Sequence, residues 1–123
     1  MNKYTKVAAH ALIKYGDKYL VTRRALTDDY MPGYWDVPGG TVEFGEDIID
    51  ALKRELQEEI SMEVEIGNVI SVCGYLSDES RHQFQLVYAC DYISGEPVLD
   101  ADCHDEFRWV TLSKMAKLKK SNF

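Results

Sequence analysis

Apolar and polar residues alternate along the first stretch of the chain. Val7, Ala9, Ala11 and Ile13 take turns with Ala8, His10, Leu12 and Lys14, which predicts a strand over 4–14 with one apolar and one mixed face. Gly16-Asp17 reads as a turn, and 19–23 as the returning strand of a hairpin. A loop over 25–33 is punctuated by Asp28, Asp29, Pro32 and Gly33. A short strand at 35–37 then meets Pro38-Gly39-Gly40, a tight passage that favours glycine. Residues 46–60 repeat their apolar positions with helical spacing, opened by Gly45 and with Glu46, Asp47 and Asp50 at the positive end of the helix. Two long strands follow at 64–76 and 84–92, rich in Val, Ile, Tyr and Phe and joined by the polar segment 77–82. Ser94-Gly95-Glu96-Pro97 is a turn, 107–110 a last strand, and 112–119 a terminal helix with a basic end. This order predicts a single α/β domain over 1–123, a mixed sheet covered by helices.

On a helical wheel with Ile48 at zero, Leu52, Leu56, Ile49 and Ile60 fall between about 40° and about 120°. Glu59 falls at about 20°, inside that apolar stripe. Glu55 falls at about 340°, on its edge, and Glu58 at about 280°, just beyond. A solvated acidic face would set its carboxylates opposite the leucines, whereas these stand beside them. Glu55 is spaced i,i+3 and i,i+4 from Glu58 and Glu59, so like charges are neighbours and something positive must compensate. Arg54 points about 100° away on the wheel, and a divalent cation is the better candidate. Carboxylate oxygens suit Mg²⁺ or Mn²⁺. On the wheel alone this reading and a plain acidic surface helix stand close together. Pro38-Gly39-Gly40 tips the balance, because glycines beside such a helix let a carbonyl join a metal shell and let phosphates approach.

Charge supports the same segment. The net charge is -7, from 14 basic and 21 acidic residues, and the window 43–65, with nine acids against Lys53 and Arg54, holds the whole excess. An acidic chain argues against a nucleic-acid polymer as partner. With 46% hydrophobic residues the chain can fill a core, yet no apolar run is long enough to span a membrane. Residues 1–6 lack the apolar stretch of a signal peptide. Cys73, Cys90 and Cys103 form no CxxC pair, so neither a disulfide framework nor a zinc knuckle is indicated and a reducing cytoplasm is expected. Cys73 and Cys90 fall in strands and are expected to be buried and inert.

The segment 40–62 resembles the Nudix box of Nudix hydrolases. Gly40, Glu46, Arg54, Glu55, Leu56, Glu58, Glu59 and Met62 stand at the spacing of its pattern, G, five residues, E, seven residues, R-E-U-x-E-E-x-G-U, with U a bulky aliphatic residue. Ser61 alone departs, where the pattern has a second glycine. The resemblance extends to Trp35-Asp36-Val37-Pro38 and to the order of elements over essentially the whole chain, and implies the Nudix α/β/α sandwich. It implies hydrolysis of a nucleoside diphosphate linked to another group, with Mg²⁺ or Mn²⁺ as cofactor and a nucleotide-type small molecule as substrate. Glu55, Glu58 and Glu59 would be metal ligands and supply the catalytic carboxylate, and the Gly39 carbonyl would be an extra ligand. Arg54 would orient a ligand glutamate, and Glu46 would organise the glycine loop. Glu79, Asp105 and Glu106 are candidate bases outside the box, though each singly reads better as a surface acid. Val21-Thr22-Arg23-Arg24-Ala25 is similar to the strand end of MutT-like members, where one arginine contacts phosphate. Alternation turns only one of the pair toward the site, and Arg23 is preferred. Tyr30, Tyr34, Trp35 and Phe84 are candidates to stack on a base, against an ordinary core role. His10, His82 and His104 show no metal-ligand spacing and read as structural or surface residues.

Small size, with little more than a hairpin and a loop before Gly40, favours a MutT-like nucleoside triphosphate pyrophosphohydrolase. An ADP-ribose or nucleotide-sugar pyrophosphatase is the alternative. A nucleotide sensor that does not cleave is the third reading, weakened because every box glutamate is present. No EF-hand spacing supports a calcium protein. Monomer and homodimer both remain open.

Overall fold

The computed structural model describes residues 2–27, 31–99 and 104–119. In chain order the elements are β1 (Tyr4–Tyr15), β2 (Lys18–Arg24), β3 (Trp35–Asp36), β4 (Gly39–Thr41), α1 (Ile48–Ile60), β5 (Glu63–Leu76), β6 (Arg81–Ser94), β7 (His104–Val110) and α2 (Leu112–Met115). The strands join in one mixed sheet, whose main path runs β3-β2-β1-β6-β5, with β4 paired to β1 and β7 to β2. β1 lies parallel to β6 along 4–14 and antiparallel to β2 and β4.

The alternation of β1 divides this sheet into two faces. Ala9, Ala11 and Ile13 are fully buried against Leu52, Leu56 and Ile60 of α1, with Met62, Val64, Tyr88 and Cys90 around them. On the other face Val21, Trp35, Val37, Val110 and Met115 form a second cluster, joined by Leu12, Tyr19 and Leu118. Thus α1 covers one face and the α2 segment part of the other, the α/β/α arrangement expected.

Element boundaries differ in instructive ways. α1 begins at Ile48, not at Glu46, because the Asp47 carboxylate accepts the N–H groups of Ile49 and Asp50 at 3.0 and 3.2 Å and so caps the helix. It ends on Ser61 in the left-handed region (φ 55, ψ 40), with the serine N–H donating to the Gln57 carbonyl. Ser61 thus adopts the conformation for which glycine is favoured, at a cost of ~1 kcal/mol. The terminal helix is a single turn, Leu112–Met115, rather than 112–119. The glycine passage is itself a strand, since Gly39 and Gly40 pair with His10 and Ala9. Cys90 is buried, but Cys73 is exposed, because β5 is an edge strand that runs on past the cover of α1. Cys103 lies outside the described residues.

Candidate active site

α1 delivers three glutamates in the order that the wheel dictates. The Glu59 side chain is 13% exposed, Glu55 18% and Glu58 62%. Glu59 and Glu55 meet β4, where the two glycines make room. The Gly39 N–H donates to the Glu59 carboxylate. At φ 151, Gly39 holds a backbone conformation that side chains disfavour, and a Cβ there would run into the Ala9 carbonyl and His10. A Cβ on Gly40 would stand 2.5 Å from the Glu55 carboxyl carbon. Glycine at 40 is therefore what lets Glu55 seat against the strand.

The wheel sets Arg54 about 100° from Glu55 but beside its i,i+4 neighbour Glu58, and its long side chain also folds back over the start of the helix. Its Nε and Nη2 donate to the two oxygens of Glu46 at 2.7 and 2.9 Å. Nη1 donates to Glu55 at 3.0 Å and to Glu58 at 3.1 Å, and Nη2 also reaches the Thr41 carbonyl at 3.2 Å. Glu46 in addition accepts the Glu43 N–H, and these bonds hold its pKa down to about 2. Arg54 thereby ties the glycine loop, Glu46 and two helix glutamates into one fixed unit.

Glu59 shares none of that compensation by Arg54. Burial first, then the charges of Glu55 and Asp36, raise its pKa to about 8. Nδ1 of the buried His104 lies 3.5 Å from Glu59 Oε1. Among the described residues no three His, Cys, Asp or Glu side chains are already gathered into a metal cage. What α1 offers is a set of hard oxygen donors in which one buried carboxyl holds its proton near neutral pH. That set suits a hard divalent cation, which would supply the missing positive charge.

On the sheet face away from the α1 core, a cleft of about 330 Å³ reaches the same glycine strand. Ala8 and His10 of β1, Gln83 and Gln85 of β6, and Tyr75 of β5 line it, with Arg24 and Asp36 beside Gly39-Gly40 and with Lys6, Ser77 and Arg81 toward the other end. Burial lowers the pKa of His10, and its Nδ1 is buried without a hydrogen-bond partner among the described residues.

The structure sends the two arginines to different partners. Arg23 is drawn to β7, donating from Nε to Asp105 at 2.8 Å and lying 3.6 Å from Glu106. Arg24 is the one that lines the cleft, with Nη1 3.4 Å from the buried Asp36 carboxylate. Between Arg23 and Arg24 the register against β7 slips by one residue, because β7 carries the extra Asp105 there. Asp105 and Glu106 are engaged by Arg23, and Arg108 also donates to Glu106. Glu79 borders a separate depression with Tyr4 and Leu76. The aromatic candidates lie elsewhere too. Trp35 is buried under the Arg108 guanidinium, Tyr34 carries the Lys119 ammonium 4.3 Å from its ring centre, and Phe84 packs over Gly74 beside His82. Tyr30 lies outside the described residues. His10, Arg24, Asp36, Tyr75 and His104 are the site residues that sequence reasoning passed over. For His10 the signal was present in its place opposite Ala9 and Ala11 on β1.

The NUDIX domain family model matches residues 4–123. The chain is 29% identical over 107 residues to the "NAD-capped RNA hydrolase NudC" of Pseudomonas aeruginosa (strain LESB58), covering 87% of this chain but only 36% of that protein. It is 30% identical over 119 residues to the "Nucleoside triphosphatase NudI" of Enterobacter sp. (strain 638), covering 87% of this chain and 82% of the relative. Among solved structures, the MutT NUDIX hydrolase of Burkholderia pseudomallei superposes with a TM-score of 0.80 at 26% identity, covering 90% of this chain and 86% of the other.

Proposed function

Since this chain belongs to the Nudix family, we propose that it is a divalent-metal-dependent pyrophosphohydrolase that cleaves a nucleoside diphosphate linked to another group. The observation that carries this reading is Glu59, a buried carboxyl beside Glu55 whose pKa burial raises to about 8 despite the Gly39 N–H and the charge of Arg24. Such a group is poised to exchange a proton for a cation.

In this proposal Glu55, Glu58, Glu59 and the Gly39 carbonyl hold Mg²⁺ or Mn²⁺. When bound, the metal neutralises the diphosphate and makes water a better nucleophile at neutral pH. Arg54 keeps Glu55 and Glu58 in position, and Glu46 keeps Arg54 there. A carboxylate of the cluster takes the proton of the attacking water. Arg24, rather than Arg23, meets the substrate at the mouth of the cleft, and Gly40 keeps the approach open. An exposed thiol at Cys73 suits the reducing cytoplasm. Among the described residues no helix is long and apolar enough to cross a membrane.

A nucleoside triphosphate, cleaved to the monophosphate and pyrophosphate, is the first substrate class to test, in keeping with the nucleoside triphosphatase of Enterobacter. The second is a nucleotide joined to a polar group, as in ADP-ribose or a nucleotide sugar. The polar lining of the cleft, with Gln83, Gln85 and Lys6, favours keeping it. The test is a product screen with Mg²⁺ and then Mn²⁺ over the (d)NTPs, ADP-ribose, nucleotide sugars and a dinucleoside polyphosphate. Metal-dependent release of a nucleoside monophosphate supports the proposal. Nucleotide binding without any cleavage would replace it with a sensor.

A further inference from the structure

The end of the cleft farther from the glycine strand carries a second cationic centre. Lys6 and Gln83 are partners across β1 and β6, and Arg81 stands two residues before Gln83 on β6, so all three share the cleft face. Arg81 is held at one edge only, since its Nε donates to Ser77 Oγ at 2.6 Å. The turn beneath it is fastened by Asp78, whose Oδ1 accepts the N–H groups of Ser80 and Arg81 at 2.8 and 3.0 Å. Among the described residues the two Nη groups of Arg81 and the ammonium of Lys6 make no hydrogen bond or ion pair. Gln83, 8% exposed, closes the floor between them.

This arrangement is at odds with the rest of the molecule. The chain carries -7 overall, and a diphosphate at the α1 glutamates would have its charge met by metal. Yet among the described residues Lys6 and Arg81 form no ion pair, and the one carboxylate on which Arg81 acts, Asp78, is taken up by the N–H groups of the turn. Lys6 lies four residues along β1 from His10, the partner of Gly39, which is about 13 Å of strand. That is too far for both phosphates of one diphosphate to be gripped at the two places together. A guanidinium fixed at Nε with its Nη edge open, beside a flexible ammonium, matches the oxygens of a phosphate.

We propose that Lys6, Arg81 and Gln83 form a subsite for a second phosphate of the substrate, one carried on the nucleoside or on the linked group away from the scissile diphosphate. Ser77 is a positioning residue that orients Arg81. The proposal rests on the hydrolase reading for the place of the diphosphate, and narrows the substrate class to nucleotides bearing such an extra phosphomonoester.

Two matched pairs of probes test it, NADPH against NADH and coenzyme A against dephospho-coenzyme A, each pair differing by one ribose phosphate. Binding is measured by calorimetry on the metal-free protein in EDTA, so that nothing depends on turnover. The expected result is that in at least one pair the phosphorylated member binds roughly tenfold tighter or more, as charge-assisted hydrogen bonds provide. Arg81→Met and, separately, Lys6→Met should bring that ratio close to one while the melting temperature stays within the wild-type range. Ser77→Ala should lower the ratio partway. Equal binding within both pairs overturns the proposal, as does a preference that survives both Arg81→Met and Lys6→Met. A protein that fails the product screen can still pass this test, and an active enzyme can fail it, so the two readings fall separately.

Discussion

Replacing Glu59 by glutamine should stabilise the metal-free protein at alkaline pH while disabling it. The change keeps the shape of the side chain and an oxygen to accept the Gly39 N–H, but removes the ionisable group. In the fold the carboxyl pKa stands at about 8 instead of 4.5. At 1.36 kcal/mol per unit, ionising it inside the fold costs at most about 5 kcal/mol, and local relaxation brings this to ~2–3 kcal/mol. Between pH 4.5 and 8 the folded chain keeps a proton that the unfolded chain has released. Wild-type stability must therefore fall as pH rises through that window and level off above it. Glu46 and Asp105 have lowered pKa values and titrate below the window, and whatever His10 adds is common to both proteins. Urea unfolding in EDTA at pH 5 and pH 8.5 isolates the difference. Glu59→Gln should match the wild type at pH 5 and exceed it by ~2–3 kcal/mol at pH 8.5, with kcat at saturating metal down by at least ~100-fold. A variant with the wild-type pH slope, or one less stable than wild type at pH 8.5, would refute the reasoning that burial of this carboxyl outweighs what the Gly39 N–H and Arg24 return to it.

Gly40→Ala should leave the fold intact but push Glu55 off the strand, lowering kcat about 100-fold, since small misplacements at a reacting centre are costly. Steady-state kinetics beside an unchanged circular dichroism spectrum checks it. Arg54→Met should lower both melting temperature and turnover by freeing Glu46, Glu55 and Glu58 from a common partner, and Arg54→Lys should restore little, because a lysine lacks the planar fork. Ser61→Gly should raise stability by ~1 kcal/mol in denaturant unfolding, because glycine enters the left-handed region without steric cost.

The helix and the placement of its glutamates were legible because one period governs both. The 3.6-residue repeat that sends Leu52, Leu56 and Ile60 into the core also carries Glu59 in beside them, and its 13% exposure follows from that geometry. The two-residue alternation of β1 likewise foretold which side chains α1 would cover. Readings failed where a tertiary event interrupted a local rule. Arg23 is drawn to Asp105 of β7 and Arg24 to Asp36 of β3, and nothing in Val21-Thr22-Arg23-Arg24 announces which of the two lines the cleft. Arg54 lies on the expected side of the helix, but a wheel fixes only where a side chain leaves the backbone, not where a flexible stem ends. Cys73 sits in an apolar strand that outruns the helix above it, and sequence alone gives no measure of where that cover stops. His104 comes to Glu59 from β7, a meeting across the fold with no trace in local spacing.

In the proposed mechanism the Glu55–Glu59 pair beside Gly39-Gly40 is a cation site serving diphosphate hydrolysis. Mn²⁺ titration followed by electron paramagnetic resonance, on the wild type and on Glu59→Gln at several pH values, addresses it most directly. Mn²⁺ should bind the wild type more tightly as pH rises toward 8 and Glu59 gives up its proton, and that binding should be largely lost in Glu59→Gln. Equal affinity in both proteins, or no pH dependence in the wild type, would contradict it.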